Sequence, residues 1–293
     1  MPSLKDLRNR ISSVKSTKKI TSAMKMVAAA KLKRAQFNAE RTRPYAEKLA
    51  GIVESLTNRI NQNSFQYAIK GHTKKHSNIL LIVCSSDRGL CGGFNGSIIR
   101  YTKNLCKKIQ EKGNSPKFIF VGKKAYNSIK RIFENSTFDF HTDFANPSIK
   151  FELATNVRDK VLNLFLSNEI DECHLIYTKF KSAMSQTVDC LKLLPIEDSS
   201  ENKEDEKINT SYEYEPDEET ILNDVIPKNI AIQIHSGLLE NLASEQGSRM
   251  TAMDSATRNA NDMIDNLTLF YNRSRQALIT KELIEIISGA EAI

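Results

Sequence analysis

From Pro227 to Ser288 the chain carries a helical pattern of roughly 60 residues with no further proline. Leu239, Leu242, Gln246, Arg249 and Met253 recur in steps of three and four. Thr257, Ala260, Ile264, Leu267, Tyr271, Ser274 and Leu278 continue the same seam. The step of four from Met253 to Thr257 is a stutter in the heptad. At 1.5 Å rise per residue such a helix is roughly 90 Å long. A chain of 293 residues cannot enclose that length in one compact body, so the helix is expected to project.

A second helix of matching kind is predicted at the other end, within residues 1–60, from about Ser3 to about Arg59. Leu4, Leu7, Ile11 and Val14 have coiled-coil spacing, and Ile20, Met24 and Val27 are expected to carry the stripe onward. Ala28, Ala29 and Ala30 would let a neighbouring backbone approach closely, before the seam resumes at Leu49, Val53, Leu56 and Ile60. Pro44 predicts a kink near Arg43. Two long helices at opposite chain ends most simply pair as an antiparallel coiled coil. Small and polar seam positions make it weaker than a Leu/Ile zipper.

Between them the period changes. Residues 78–216 read as a central, Rossmann-like α/β domain, and residues 217–293 as the C-terminal region with its long helix from about 228. Strands are expected at Asn78–Cys84, Lys117–Val121, Cys173–Phe180 and Val188–Leu194, with a possible edge strand at Tyr212–Pro216. Helices are expected near Ser97–Glu111, Lys124–Phe133, Phe151–Asn168 and Asp217–Val225. This alternation argues for a small, largely parallel sheet. A polar loop spans Asn61–Ser77, and a charged acidic loop of variable length spans 197–207.

The net charge of +7 is uneven. Lys5, Arg8, Arg10, Lys15, Lys18, Lys19, Lys25, Lys31, Lys33 and Arg34 face only Asp6 in the first 36 residues. Such an arm suits nucleic acid, a membrane surface, an acidic protein partner, or a solvated helix face. The five cysteines show no CxxC spacing and no Cys/His cluster of zinc type, so no metal is expected. Scattered thiols suit a reducing compartment. No apolar run is long enough to span a membrane. With the helical pattern starting at Leu4, no removable leader is expected.

Ser85–Asn95, a glycine-bearing turn between a strand and a helix, is the most suggestive loop for phosphate. Neither GxGxxG nor GxxxxGK[ST] is present, which favours a structural turn or a protein-contact loop. Cys91 beside Arg88 has no histidine at recognisable spacing, so it reads as a plain thiol. Asp87 and Arg88 read as a local salt link. Met24, Met26, Met250, Met253 and Met263 are either coiled-coil packing or an adaptable apolar surface facing a sleeve.

Five segments carry a resemblance. Lys19–Ala28 (KITSAMKMVA) resembles the N-terminal signature of the gamma subunit of F-type ATP synthases, and Ser86–Asn95 (SDRGLCGGFN) resembles its central motif. Ser244–Met253 (SEQGSRMTAM) and Asn272–Leu283, followed by Glu285–Ala292, are similar to its C-terminal helix and tail. Gly247 departs from the family's usual Ala or Ser, and a glycine inside a helix costs up to about 1 kcal/mol, which would soften the rod.

The resemblance implies a non-catalytic rotor without cofactor. It would couple the turning of a membrane c-ring, driven by hydrogen-ion transport, to ATP synthesis in a surrounding ring. Its implied partners are the alpha, beta and epsilon subunits (delta in mitochondria) and the c-ring, with no nucleic acid. By position, Met24, Lys25, Gln246, Arg249, Thr280 and Glu282 would contact the alpha/beta ring. Ser86, Asp87, Arg88, Gly89, Leu90, Cys91, Gly92, Gly93 and Asn95 would form the foot contact to epsilon and the c-ring. The implied location is peripheral, on the cytoplasmic face of a bacterial inner membrane, or on the mitochondrial matrix face for a processed chain. The rival readings are a basic coiled-coil nucleic-acid-binding protein and a phosphate-binding α/β enzyme using Ser85–Asn95.

Overall fold

The computed structural model describes residues 3–57, 77–133, 136–145, 148–196 and 218–291. The polar loop after residue 60, the acidic loop at 197–207 and the edge strand expected at Tyr212–Pro216 lie outside these residues. The chain divides into two compact units: a helical unit, Met1–Ala29 with Arg249–Ile293, and a sheet unit, Ala30–Ser248. The domain boundaries read from the sequence follow secondary structure, whereas these units divide within the two long helices.

Helix α1 runs Leu4–Thr57, with Pro44 inside it. It opens on a capping box: Ser3 Oγ accepts from the Asp6 amide at 3.2 Å and donates to Asp6 Oδ2 at 2.8 Å.

The sheet unit has five strands: β1 Asn78–Cys84, β2 Ser115–Val121, β3 Thr137–His141, β4 Glu172–Phe180 and β5 Gln186–Leu194. Helices α2 Phe94–Glu111, α3 Lys123–Ile129 and α4 Phe151–Leu166 connect them. The strand order is β3-β2-β1-β4-β5. Every pairing is parallel except β4 with β5.

Nearly continuous apolar strands bury both faces, so the sheet is a middle layer. Leu80, Ile82, Cys84, Ile119, Val121, Leu175 and Tyr177 face Ala154, Val157, Val161 and Phe165 of α4 and Ile226, Ile230, Ile234 and Leu238 of the last helix. Ile79, Leu81, Val83, Phe118, Phe120 and Ile176 face Ile98, Cys106 and Ile109 of α2 and Ala125 and Ile129 of α3. Strand β3 was not read from the sequence. TFDFH is five residues of half-buried edge with Asp139 at its centre, a weak periodic signal. It is held by its ladder to β2 and by Tyr126, which stacks on Phe140 at 4.0 Å.

The last helix, α5, corrects the sequence reading. Glu218–Glu291 is one helix of 74 residues, and Pro227 lies inside it rather than opening it after a separate short helix. Proline in a helix interior costs about 3 kcal/mol. Ile226, Ile230 and Ile234, at most 1% exposed, each contribute about 1.5–3 kcal/mol by burial against the sheet, which offsets that cost.

Gly122 marks the tightest approach in this unit. Its φ is 109°, and a Cβ there would lie 2.2 Å from the Ser85 carbonyl oxygen. Gly122→Ala is therefore expected to destabilise the chain by about 2–4 kcal/mol, from strain and overpacking together. Gly93→Ala, where a Cβ meets nothing within 4 Å, should stay within about 0.5 kcal/mol. Chemical denaturation of both variants checks this; equal stability would refute it.

Candidate partner-contact surfaces

In open α/β sheets, ligands settle where neighbouring connections leave the strand ends in opposite directions. Here that point lies between β1 and β4, and Ser85–Asn95 leaves β1 beside it. The serine, asparagine and aspartate groups of this loop are turned inward. Ser86 donates its amide to Asn95 Oδ1 at 3.1 Å, and Asn95 Nδ2 reaches Ser86 Oγ at 2.7 Å and Cys91 Sγ at 3.1 Å. The Ser85 amide donates to Val121 O and the Phe94 amide to Cys91 O. Ser85 Oγ accepts from the Ala125 amide at 3.0 Å. Asp87 accepts from the Lys123 and Asp143 amides at 3.1 and 3.0 Å, so its carboxylate ties the loop to the start of α3 and to the segment after β3. Burial pushes the Asp87 pKa up, against these two amides.

Helix α5 fills the crevice. Strand β4 runs beyond the last residue pair it makes with β1, Val83 with Ile176. Asn241 Oδ1 accepts from the Thr178 amide at 3.1 Å, and Ser244 Oγ donates to the Thr178 carbonyl at 2.9 Å. One turn further, Ser248 Oγ donates to the Cys91 carbonyl at 2.9 Å. Gly237 and Gly247 make this fit possible. A Cβ would lie 2.6 Å from Leu175 Cδ2 at the first and 3.2 Å from a Phe180 ring carbon at the second. The softening expected from Gly247 is thus accompanied by a close contact that a side chain would obstruct.

These contacts sort the foot residues carried over by position. Ser86 and Cys91 are buried and Asn95 half-buried, which makes them scaffold. Arg88, Leu90, Gly92 and Gly93 are exposed, with Leu90 at 65% and a φ of 62°. Asp87 and Gly89 are intermediate.

In the helical unit the two helices run antiparallel. Lys25 Nζ meets Asp254 Oδ1 at 2.6 Å, while Thr21 Oγ1 and Thr257 Oγ1 lie 2.8 Å apart. Each hydroxyl also reaches a carbonyl of its own helix, Lys18 O at 3.1 Å and Met253 O at 2.8 Å, so neither is stranded. The hydrogen bond from Lys25 holds the Asp254 carboxyl below its usual range.

The α1 seam holds as expected at Leu4, Leu7, Ile11, Val14 and Met24, each buried or half-buried, but not at Ile20 and Val27. Leu7, Thr21 and Ala28 are buried, whereas Ile20 and Val27 are 59% and 56% exposed. The stripe keeps a seven-residue period from Leu7 through Val14 to Thr21 and Ala28, and small residues hold the close positions. In α5 the expected seam holds from Met253 through Ala260 to Ser274, each buried or half-buried, and ends before Leu278. The methionines divide: Met253 is 5% exposed, Met26 65% and Met263 53%.

Of the residues expected to meet the ring, Thr280 and Glu282 lie in a stretch exposed from Arg275 through Ala290. Met24 and Arg249 are half-buried, and Lys25 is exposed but paired with Asp254. Gln246 is 5% exposed, with Nε2 donating to Glu245 Oε1 at 3.2 Å, so little of its surface is open. Among the described residues no group of three or more His, Cys, Asp or Glu could hold a metal, and no helix is long and apolar enough to cross a membrane.

A family model described as ATP synthase matches residues 3–293. The ATP synthase gamma chain of Sinorhizobium fredii is 48% identical over 293 residues, covering 100% of both chains. The chain belongs to the ATP synthase gamma-chain family. The gamma chain of Rhodospirillum rubrum is also 48% identical, over 299 residues and 100% of both chains. A chain in the central stalk and c-ring structure of the Tetrahymena thermophila mitochondrial ATP synthase is 26% identical, with a TM-score of 0.60 over 81% of this chain and 99% of that one. A chain of the Euglena gracilis mitochondrial ATP synthase shares the fold, with a TM-score of 0.67 at 20% identity over 99% of this chain and 94% of that one. Gamma chains are non-catalytic, central-stalk subunits of a membrane-bound complex. The nucleic-acid and phosphate-enzyme readings are thereby set aside.

The corrected seam has a direct test. Ala28→Leu should cost about 1–3 kcal/mol by forcing a large side chain between close backbones. Val27→Leu should stay within about 0.5 kcal/mol. Thermal unfolding followed by circular dichroism distinguishes them, and the reverse order would restore the Ile20–Val27 stripe.

Proposed function

We propose that this chain is the turning shaft of an F-type ATP synthase, and that its paired terminal helices work inside a ring of alpha and beta subunits. Proton flow through the c-ring turns it, and its asymmetry drives the catalytic sites on beta through successive affinities for ADP, phosphate and ATP. The observation that carries this reading is the stretch from Arg275 to Ala290. All of it is exposed, yet it carries Leu278, Ile279, Leu283, Ile284, Ile286 and Ile287. So much apolar surface on one helix marks an interaction site.

Thr280 and Glu282 lie in that stretch, and Met24 and Lys25 lie on α1, the other helix of the pair. These four, with Arg249, are the ring contacts; Gln246 contributes through whatever small surface it leaves open. The basic α1 face meets acidic loops of beta. Exposed Arg88 and Leu90, with Gly92 and Gly93, form the foot surface toward epsilon and the c-ring. The complex sits on the cytoplasmic face of a bacterial inner membrane, or on the matrix face where the chain is organellar.

Affinity capture of the chain from its native membranes should bring down alpha, beta and epsilon subunits. Met24→Lys should leave that assembly intact while reducing ATP-driven proton pumping several-fold relative to ATP hydrolysis. Unchanged pumping in the variant would remove Met24 from the contact set. Capture without alpha and beta would overturn the reading itself.

A further inference from the structure

The antiparallel pairing of β4 with β5 brings together three chemically active side chains that the rotor reading does not use. Cys190 lies opposite Ile176, and His174 is two residues before Ile176, so His174 and Cys190 are diagonal neighbours on one face. His174 Nδ1 stands 3.8 Å from Cys190 Sγ, and His174 Nε2 stands 3.0 Å from Glu172 Oε2. Glu172 thus fixes the imidazole with Nε2 as donor and leaves Nδ1 aimed at the thiol. This is a nucleophile, a base and a group that orients the base, the arrangement that activates a weak nucleophile.

Access is selective. Cys84, Cys91, Cys106 and Cys173 are buried, and Cys190 is the one partly open thiol of the five. Burial pushes the Cys84 and Cys106 thiols up to about 12, and raises Cys173 as well. At His174 burial favours the neutral ring, but the hydrogen bonds to Cys190 and Glu172 outweigh it and raise its pKa to about 9. The bond from His174 lowers the Glu172 pKa, as it should for a carboxylate facing a ring that holds its proton. The charged and titratable groups around the pair are Tyr101 of α2, Glu172 of β4, Asp189 and Lys192 of β5, and Lys112 just beyond α2.

We propose that Cys190 is a base-activated thiol, a modification site that attacks low-molecular-weight disulfides. His174 Nδ1, whose raised pKa lets the ring hold the thiol proton at pH 7, takes that proton before Sγ attacks one sulfur of the disulfide. The Sγ–S bond forms, the reagent's S–S bond breaks, and the departing thiolate receives the proton from His174. Cys190 ends in a mixed disulfide, and the reagent's other half leaves as a thiol, reduced by the electrons the cysteine gave up. His174 is the catalytic base, and Glu172 is a positioning residue acting through it.

The test is glutathione disulfide at pH 7 with the reduced full-length chain, each cysteine followed by peptide mass spectrometry. Cys190 should be modified at least ~10-fold faster than any other cysteine, and at least ~10-fold faster than in His174→Asn, a conservative share of the ~10²–10⁴-fold that a positioned base supplies. Glu172→Gln should fall between the two. The four buried thiols report folding. If they become reactive in His174→Asn, the Glu172→Gln comparison decides alone. Modification of Cys190 at the same rate with and without His174, or with and without Glu172 where only that comparison stands, would overturn the proposal.

Discussion

Two hydrogen bonds from α5 to the backbone of Thr178 decide how the sheet unit is built. Strand β4 outruns β1, which leaves an amide and a carbonyl facing inward with no strand to pair with. A buried unpaired backbone group costs about 1–3 kcal/mol. Asn241 and Ser244 satisfy both, and Ser248 does the same for the Cys91 carbonyl. In related sheet architectures the crevice at this point admits a ligand. Here it is filled by the chain's own longest helix, and in the glycine-bearing loop beside it Ser86 and Asn95 bond to each other. The site that a nucleotide-binding protein would use has become a socket.

The same residues then explain the sequence signature around Ser244. In SEQGSRMTAM the small residues serve the socket: Ser244 and Ser248 bond to the sheet unit's backbone, and Gly247 lies against Phe180 and Ala183. The helical unit uses smallness differently. Ala28 and Ala260 are buried, and Thr21 and Thr257 share a hydrogen bond across the seam. Small side chains give modest burial energy but close helix approach. Larger apolar residues, Ile20 and Val27 among them, are left facing outward. A shaft that must meet partners on its outside is served by that exchange.

Much of this was legible in the amino-acid order. Long heptads placed both terminal helices, and the α5 seam from Met253 to Ser274 was read residue by residue. The apolar runs gave β1, β2 and β4, because largely buried strands leave a nearly unbroken signal, and β5 was legible although it is mostly half-buried and carries Asp189 and Lys192. What escaped had weaker local marks. Strand β3 is short and interrupted by Asp139. The α1 stripe was misplaced at two positions because Ile20 and Val27 are more hydrophobic than Thr21 and Ala28, and hydrophobicity misleads where close packing selects small side chains. Pro227 pointed to a helix start because its cost is local, while the burial of Ile226, Ile230 and Ile234 that offsets it is tertiary. The motif Ser86–Asn95 was legible as one block. Its division into internal scaffold and outward surface depended on hydrogen bonds that spacing does not show.

The rotor reading proposed above needs torque to pass between the sheet and α5, and Asn241, Ser244 and Ser248 are side chains that join the two. The most direct measurement is the number of protons pumped per ATP hydrolysed by the complex assembled with Asn241→Ala/Ser244→Ala, compared with the unaltered complex. The account predicts that hydrolysis persists while pumping per ATP falls several-fold, because the loosened root slips under load. An unchanged ratio, with faster amide exchange at Thr178 confirming that the root is loosened, would contradict it.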